Sequence, residues 1–505
     1  MLKKIFINSS ILFSVRNSST IAQKNPKPFS KIPTVSIFKL ITGSLPGGKY
    51  YKKSLLDIGK SLNEEYGDIL RIPSILGNDE MIIIFKADDF ETVFRNEGIW
   101  PTRKALVTLK YYREKYKSDI YSNYGSILTG DGEKWYKTRT TVNPILLKPK
   151  VVESYRGIID EVAKDLVEEM KNIRNDKSEM PGNFLDIIVA WSAESIVSVV
   201  LGKRLNMLSG RSNDENAQKL MNCIRQFLEQ SAQFELGVSL WRYYESKAFK
   251  ELIKVFENLT NVTSYFVNEA LEKFENEKGD ENVENSVFVS LLKINKEITT
   301  VMVMDALTAG VDTTALILTN LLYMLAKNPT KQEILRKEIF QFLPEKSSIP
   351  SYENMKQLSY LRACVKETFR TMPLILGSNR VIQNDVVLSG YQVPKNKNIA
   401  LTFTQELVNP KYYPEPQKFI PERWLRDRTD NKCPHATESN PFSFMPFGHG
   451  SRSCIGKRIA NMEIELATAN IIRNFKLEWH YPDIKIRNAL FNIPDSEMKI
   501  KVLDV

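Results

Sequence analysis

Apolar residues recur every three or four positions through most of the chain beyond residue 150. This spacing places them on one face of a helix. It predicts helices over Val151–Asn172, Phe184–Leu201, Asn216–Glu235, Lys247–Glu275, Lys296–Ala326 and Lys331–Phe342. Nearer the two ends, it predicts helices over Ser54–Tyr66 and Ile455–Phe475. The stretch Asn276–Asn285, rich in acids and amides, is predicted as a surface loop.

Strand patterns are few and short. Ile69–Ile72 and Met81–Phe85 flank a turn at residues 77–79, which favours a hairpin. Val386–Leu401 shows further short strands. No internal repeat and no polar linker divides the 505 residues. We therefore predict a mainly α fold with a small β region, in a single large helical domain over residues 39–505.

The N-terminal segment differs from the rest of the chain. Residues 1–38 contain lysine, arginine and many serines but no acidic residue, which is typical of a mitochondrial transit peptide. Their apolar runs fall far short of the roughly 20 residues that cross a bilayer. Pro26, Pro28 and Pro33 indicate irregular backbone. We predict that residues 1–38 are a transit peptide and a disordered lead-in; the alternative is a plain disordered basic tail.

Overall charge and composition exclude little. A net charge of +10 fits an acidic protein partner, a membrane surface or a lysine-rich proteome. The four cysteines, Cys223, Cys364, Cys433 and Cys454, form no C-x-x-C pair, which argues against a zinc site and a disulfide framework. A reducing compartment is expected. Three histidines are too few for most multi-histidine metal sites.

One cysteine stands where metal ligation is favoured. Cys454 follows a glycine-containing loop and precedes the helix predicted over Ile455–Phe475. Gly450 can adopt a backbone conformation closed to other residues, and Gly456 lets a flat group approach the chain. The amides at the helix start favour negative charge on sulfur, and Arg452 adds a cation. Taken alone, a cysteine in such a place is more often a small buried hydrophobe.

The full segment favours ligation. Phe447, Gly450, Arg452, Cys454 and Gly456 match the pattern F-x-x-G-x-R-x-C-x-G. The chain therefore resembles the heme-thiolate monooxygenases of the cytochrome P-450 superfamily. The resemblance implies heme b, iron protoporphyrin IX, with Cys454 as the axial ligand of iron. It also implies insertion of one oxygen atom from O2 into a C–H bond, aided by the electron-donating thiolate.

A second segment carries the oxygen side of this chemistry. Ala306–Ala315, inside a predicted helix, reads ALTAGVDTTA. Gly310 lowers helix propensity, whereas a Thr313 hydroxyl can bond the Ala309 carbonyl and leave a polar notch. A helix packed closely through small residues would show the same pattern. The resemblance assigns the segment to oxygen activation, with Asp312 relaying protons and Thr313 hydrogen-bonding dioxygen and holding a water chain.

Two supporting sets of polar residues follow from the resemblance. Glu367 and Arg370 are three residues apart on a predicted helix, which by itself usually gives a solvated ion pair. The resemblance adds Arg423, from FIPERW, and implies a buried cluster of the three. It further implies that the heme propionates are bound by Trp135, Arg139, Arg380 and Arg452.

Partner and location follow from a basic helix face. Arg362 and Lys366 flank the Glu367–Arg370 pair, and a solvated basic face is one interpretation. The resemblance implies that they contact an acidic ferredoxin, with Arg458 extending the surface. Electrons would come from NADPH through ferredoxin reductase and ferredoxin. With the transit peptide, this predicts the matrix side of the inner mitochondrial membrane and peripheral association with that membrane. WPTRKAL and GDGEKWYKTRTTVNP are most similar to arthropod mitochondrial members.

The sequence gives less information about the substrate than about the cofactor. Residues near Ser126–Thr129, with Ala306, Ala309 and Leu374–Leu376, are predicted to line a pocket for a lipophilic molecule, a xenobiotic or a steroid. An ecdysteroid-pathway hydroxylase is a more specific alternative. A heme-thiolate isomerase is less favoured, because it needs no oxygen-activating pair such as Asp312 and its neighbouring threonine. A heme-binding sensor or carrier is a third alternative.

Overall fold

The computed structural model of the chain describes residues 25–51, 53–75, 77–121, 123–208, 214–235, 240–276, 287–346, 349–425, 440–488 and 490–505. It is mainly helical, as predicted. Helices α1–α9 span Ile37–Ser44, Leu55–Tyr66, Ala87–Arg95, Val107–Tyr116, Ser118–Tyr121, Gly132–Leu146, Pro149–Ser154, Arg156–Ile173 and Phe184–Leu201. Helices α10–α18 span Glu215–Glu235, Lys247–Asn276, Val287–Leu292, Lys296–Lys327, Pro329–Phe342, Tyr352–Gln357, Ser359–Thr371, Thr404–Leu407 and Lys457–Asn474.

The β region is small. Strands β1–β10 span Ile69–Ile72, Met81–Ile84, Gly377–Val381, Val386–Leu388, Tyr391–Val393, Asn398–Thr402, Phe475–Glu478, Ile486–Asn488, Asn492–Pro494 and Lys501–Asp504. One sheet has the order β1-β2-β6-β3, and the pairs β4–β5, β7–β10 and β8–β9 are separate. β1 and β2 form the predicted antiparallel hairpin, with Ile69 opposite Ile84. β2 and β6 run parallel.

Helix α13 lies at the centre of the fold. It packs along α9 and contacts α18, and Ser192 of α9 donates to the Val311 carbonyl at 2.7 Å. Its first turn is capped by Asn295, which accepts from two backbone amides. By length and composition, α9 and α13 are apolar enough to cross a membrane, but most of each is buried inside the domain, as in core helices of globular proteins.

The prediction of a disordered lead-in up to residue 38 is wrong for its last part. Lys27 donates to the Gly390 carbonyl and accepts from Gln392, which adds the segment to the edge of β5. Ile32 and Val35 are almost fully buried. Between the prolines the chain forms only a short 3-10 helix, Phe29–Lys31, and its backbone pairs with strands distant in sequence. Residues 1–24, which carry most of the predicted transit peptide, lie outside the described residues.

One predicted helix is divided in the structure, and one predicted loop lies mostly outside the described residues. The helix predicted over Val151–Asn172 is two helices, α7 and α8, because the chain turns at Tyr155, whose amide bonds the Val152 carbonyl at 3.2 Å. Apolar spacing continues across this turn and so does not reveal it. Of the loop predicted over Asn276–Asn285, all but its first residue lies outside the described part of the chain.

Candidate active site

The loop before α18 fixes the position of Cys454. Gly450 has a φ of +73°, a left-handed conformation that favours glycine, and a Cβ there would lie 2.6 Å from Glu97 Oε1. The Cys454 amide donates to the Phe447 carbonyl at 2.8 Å. The Phe447 ring packs edge-on against Phe369 of α16, with 5.1 Å between ring centres. The sulfur is therefore carried by a loop held on both sides.

The Cys454 side chain is accessible although protein atoms surround it densely, so it faces an interior recess. We call this the Cys454 recess. Burial raises the pKa of the thiol, while the backbone N–H groups of Gly456 and Lys457 and the charge of Arg139 act in the opposite direction. These groups stabilise the thiolate, which is the metal-binding form. The other cysteines in the described ranges, Cys223 and Cys364, are buried.

One strip of α13 borders an interior space. Along the middle of this helix, where most side chains are buried, Ala306, Ala309, Gly310 and Thr313 are half-buried and share one face. The Thr313 hydroxyl donates to the Ala309 carbonyl at 2.8 Å. A Cβ on Gly310 would lie 3.2 Å from Ile196 Cγ1 of α9. Close packing and a polar notch therefore occur together, and the two interpretations of this segment are not exclusive.

Asp312 precedes the notch and is buried. Its Oδ2 has no hydrogen-bond partner among the described residues. Burial raises the pKa of Asp312 to about 7, against a smaller lowering by Arg225. A carboxyl group with a pKa near neutrality can both accept and release a proton at physiological pH. Asp312 therefore has the properties of a proton carrier.

Four arginines in the described part of the chain lie beside the Cys454 recess, three of them buried and Arg103 half-buried. This arginine cluster consists of Arg103, Arg139, Arg380 and Arg452. Burial, and then repulsion by neighbouring arginines, lowers the pKa of Arg103 to about 10 and that of Arg452 to about 9. Two carboxylates, Asp131 and Glu97, pair with members of the cluster. Asp131 also pairs with Lys110 at 2.7 Å, so the cations here outnumber the two carboxylates and the cluster carries excess positive charge.

Arg452 is the most firmly fixed member. Its Nε donates to the Pro101 carbonyl at 2.8 Å, and its Nη2 donates to Gly130 at 2.8 Å and to Asp131 at 3.0 Å. Its guanidinium carbon lies 3.6 Å from the centre of the Trp135 ring, a close cation–π contact. Arg452 is therefore held in place before any ligand is considered.

The other predicted members have different partners. Arg139 donates to the Ser453 carbonyl at 2.8 Å, directly beside Cys454. Arg380 donates to Glu97, which is itself buried. The Trp135 indole donates to a backbone carbonyl at 3.3 Å, so Trp135 contributes here mainly by supporting Arg452.

Sequence reasoning missed three residues of this site. Arg103, Asp131 and Glu97 were not singled out, although Arg103 lies in the segment WPTRKAL. Their ion pairs and electrostatic interactions with Arg380 and Arg452 identify them.

The sequence is similar to that of known proteins over nearly its whole length. A family model described as Cytochrome P-450 matches residues 33–502. The chain belongs to the cytochrome P-450 family. It is 41% identical over 490 residues to probable cytochrome P-450 12a5, mitochondrial, of Drosophila melanogaster, covering 95% of this chain and 91% of the relative. It is 39% identical over 507 residues to cytochrome P-450 CYP12A2 of Musca domestica, covering 97% and 94%. It is 34% identical over 457 residues to cytochrome P-450 12b1, mitochondrial, of Drosophila acanthoptera, covering 90% and 85%.

The resemblance inferred from the motifs is thereby confirmed, including its arthropod mitochondrial character. As a cytochrome P-450, the protein is a monooxygenase with heme b as its cofactor. The residues present fit that group. Arg103 Nε, Arg139 Nε and Arg452 Nη1 are buried and have no partner among the described residues. With the excess positive charge of the cluster, these donors suit the two carboxylates of the heme propionates.

Behind the ligand loop, the structure brings Glu367, Arg370 and Arg423 together. Glu367 pairs with Arg370 at 2.8 Å and with Arg423 at 3.3 Å, and all three side chains are fully buried. Glu367 also accepts from the Ile420 amide and the Trp424 indole, each at 2.9 Å. This cytochrome P-450 therefore has a buried charge network in which the carboxylate is saturated with donors.

The predicted partner face is only partly as expected. Lys366 and Arg458 are exposed, together with Lys457. Arg362 is half-buried, and its guanidinium donates to the carbonyls of Met355 and Lys356 at 2.8 and 2.7 Å. Its charge contributes to the surface, but two of its nitrogen atoms are already bonded within the chain.

Proposed function

We propose that this cytochrome P-450 inserts one oxygen atom of O2 into a lipophilic xenobiotic or steroid, with electrons passed from NADPH by ferredoxin reductase and ferredoxin. The observation that carries the proposal is the pairing of two features. One is an accessible thiol on Cys454 within a cationic recess. The other is a half-buried strip of α13 with Thr313 on it and Asp312 beside it.

Cys454 would ligate the heme iron, and the arginine cluster would hold the propionates, with Trp135 supporting Arg452. When bound, the heme supplies activation of O2 and the thiolate promotes O–O cleavage. The donors around sulfur, from Gly456 and Lys457, stabilise the thiolate form required for ligation.

On the opposite side of the recess, protons must arrive in a controlled way. Asp312 takes a proton from solvent and releases it toward the notch, which its pKa of about 7 permits. The Thr313 hydroxyl donates to Ala309, so the Thr313 oxygen can accept a hydrogen bond from a water or a protonated group in the recess. The pair therefore orders water at this point and excludes random proton entry.

The electron donor would dock on the exposed cations Lys366, Lys457 and Arg458. An acidic ferredoxin is the complementary partner for such a surface. The mitochondrial relatives support a matrix location for this chemistry.

Membrane association is supported by apolar side chains on the surface. Phe38 of α1 is 76% exposed, and Ile41 and Leu45 beside it are also exposed. Tyr243 and Tyr244, which precede α11, are likewise exposed. A short amphipathic helix with such residues inserts into one leaflet without crossing it. We propose peripheral binding to the inner mitochondrial membrane on its matrix side.

The test is turnover of the heme-loaded protein with ferredoxin, ferredoxin reductase and NADPH under ¹⁸O-labelled O2. Sterols, ecdysteroid precursors and lipophilic xenobiotics are offered, with the Cys454→Ser variant as control. We expect product that carries one labelled oxygen atom, made only by the wild type. Oxidation of one sterol at one carbon would assign a hormone-pathway hydroxylase, and slow oxidation of many compounds would assign detoxification. Turnover without reductant, or label derived from water, would overturn the proposal.

A further inference from the structure

A buried ion pair joins α4 to the central helix. Arg113 Nη1 lies 2.7 Å from Asp305 Oδ1, and both side chains are nearly inaccessible. Asp305 Oδ2 also accepts from the Ser126 hydroxyl at 2.9 Å and from the Ile127 amide at 2.6 Å. The mechanism proposed above uses none of these groups. Burying two charges costs free energy even when they are paired, so we expect this pair to have a use.

Arg113 retains donors that the protein does not use. Among the described residues, its hydrogen bonds run from Nη1 alone, to Ser126, Thr129 and Asp305. Its Nε and Nη2 therefore have no protein acceptor in this part of the structure, although Arg113 is only 5% exposed. The Tyr121 ring, 4.7 Å from the guanidinium carbon, covers the group without accepting a hydrogen bond in its plane. A buried donor without an acceptor costs free energy unless a ligand supplies one.

Arg113 lines a small, partly open cavity between α4, α11 and α13. Phe256 and Leu259 make part of its wall apolar, whereas Thr263 and Thr308 stand beside Arg113 on the polar part. The cavity has room for about one water-sized group. It therefore suits one polar group of a larger molecule rather than a whole substrate.

We infer that this cavity binds a neutral, hydrogen-bond-accepting oxygen, such as a ketone or an ether, of an otherwise apolar substrate, with Arg113 as the donor. Asp305 already balances the charge of Arg113, so a carboxylate would bring an uncompensated negative charge into the interior. Arg113 is thus a specificity-determining residue. The inference rests on the proposed function and narrows its substrate class.

The position of the cavity also constrains where the substrate reacts. Thr308 precedes Thr313 by five residues on α13, which is about 7.5 Å along a helix axis. The two side chains also differ by about 140° around the axis, so an oxygen bound beside Thr308 lies well away from Thr313. We therefore expect oxidation remote from the recognised oxygen.

The experiment compares a matched pair of ligands, 4-phenylcyclohexanone and phenylcyclohexane, by calorimetric titration of the heme-loaded protein. The test variant combines Arg113→Gln with Asp305→Asn, which removes both charges together and keeps two hydrogen-bonding amides. We expect it to weaken ketone binding by about tenfold or more, the value of a hydrogen bond from a charged donor. Binding of the hydrocarbon should change by less than about twofold, since no hydrogen bond to it is lost.

The control variant combines Lys117→Gln with Glu257→Gln. Lys117, which directly follows α4, lies 2.8 Å from Glu257 of α11, and neither residue lines the cavity, so both affinities should be unchanged. If the test variant fails to fold, Thr263→Leu fills the cavity while keeping the ion pair, and the same selective loss of ketone affinity is expected.

Three results would overturn the inference. Equal losses for ketone and hydrocarbon would show that Arg113 only maintains structure. An unchanged ketone affinity would show that the cavity holds nothing but water. Tighter binding of 4-phenylcyclohexanecarboxylate than of the ketone would make the site an anion site. Failure of the proposed function is separate, because it appears as absent ferredoxin-dependent product while the titrations still compare the two ligands.

Discussion

The Thr313 hydroxyl bonds the Ala309 carbonyl one turn back along the central helix, at 2.8 Å. Four other threonines of α13, Thr299, Thr300, Thr308 and Thr319, make the same bond to the carbonyl four residues before. Thr299, Thr308 and Thr319 are buried, and Thr300 lies near the start of the helix. Thr313 differs because it lies on the half-buried strip in the middle of the helix. The bond is therefore an ordinary feature of this helix, and the exposure of Thr313 to the interior is what gives it a special use.

Replacing Thr313 by Ala should uncouple electron use from product formation. We expect at least about a tenfold fall in product per NADPH consumed, because proton delivery loses its hydrogen-bonding group. Peroxide release should rise correspondingly. The Thr319→Ala variant removes an equivalent hydroxyl from the same helix and should keep the wild-type ratio. Unchanged coupling in Thr313→Ala would show that the strip serves packing alone.

Asp312 predicts a pH dependence of stability. Because burial raises its pKa to about 7, the folded protein holds this proton more tightly than the unfolded chain, whose pKa is about 4. The contribution of this protonation to the free energy of unfolding is fully present below about pH 4 and is lost as the pH rises to about 7. The Asp312→Asn variant stays neutral. Its free energy of unfolding should equal that of the wild type at low pH and exceed it by a few kcal/mol above pH 7.

Denaturant titrations of the two proteins at pH 5, 6, 7 and 8 measure this difference. A gap independent of pH would contradict the assignment of the raised pKa to Asp312. The same variant should turn over more slowly at every pH, since an amide does not relay protons.

Glu367 is expected to be essential for stability rather than for chemistry. The Glu367→Gln variant leaves Arg370 and Arg423 buried without their counter-charge, which should cost on the order of 3–5 kcal/mol. The measurement is the denaturant midpoint of the heme-loaded protein. Glu91→Gln is the control, because Glu91 pairs with Arg95 at 2.6 Å on an exposed helix face and should cost less than about 1 kcal/mol. Similar effects of the two variants would contradict the network.

Local sequence spacing accounts for the parts of the site that could be predicted. The motif residues between Phe447 and Gly456 lie within ten positions of the chain, and Glu367 and Arg370 are three positions apart. Such short-range patterns can be recognised in the sequence. Arg113 and Asp305 are 192 residues apart and meet only through the packing of α4 on α13. No periodicity indicates such a pair, nor the attachment of Lys27 to the edge of β5.

The arginine cluster shows the same limit. Motifs predict Arg139 and Arg452, whereas only the fold brings Arg103 close enough to interact with Arg139 and Arg380. If Arg103 helps to hold the propionates, the Arg103→Gln variant should lose heme faster to a heme-accepting protein than the wild type, because a charged donor to a carboxylate is lost. Arg71→Gln changes an arginine that pairs with Glu80 at 3.3 Å outside the cluster and should retain heme normally. Equal retention in both variants would remove Arg103 from the site.

The electron-donor surface predicts a selective effect of charge reversal. Combining Lys366→Glu with Arg458→Glu should raise the KM for ferredoxin by about tenfold or more, since like charges then face each other. The kcat at saturating ferredoxin should be unchanged, because neither side chain lines the Cys454 recess. Added salt should raise the KM of the wild type for ferredoxin and so reduce the difference in KM between the two proteins. Lys254→Glu, an exposed change on α11, should leave both constants unaltered. Arg362→Glu should instead destabilise the protein, because its guanidinium secures the carbonyls of α15. An unchanged KM in the double variant would place the ferredoxin elsewhere.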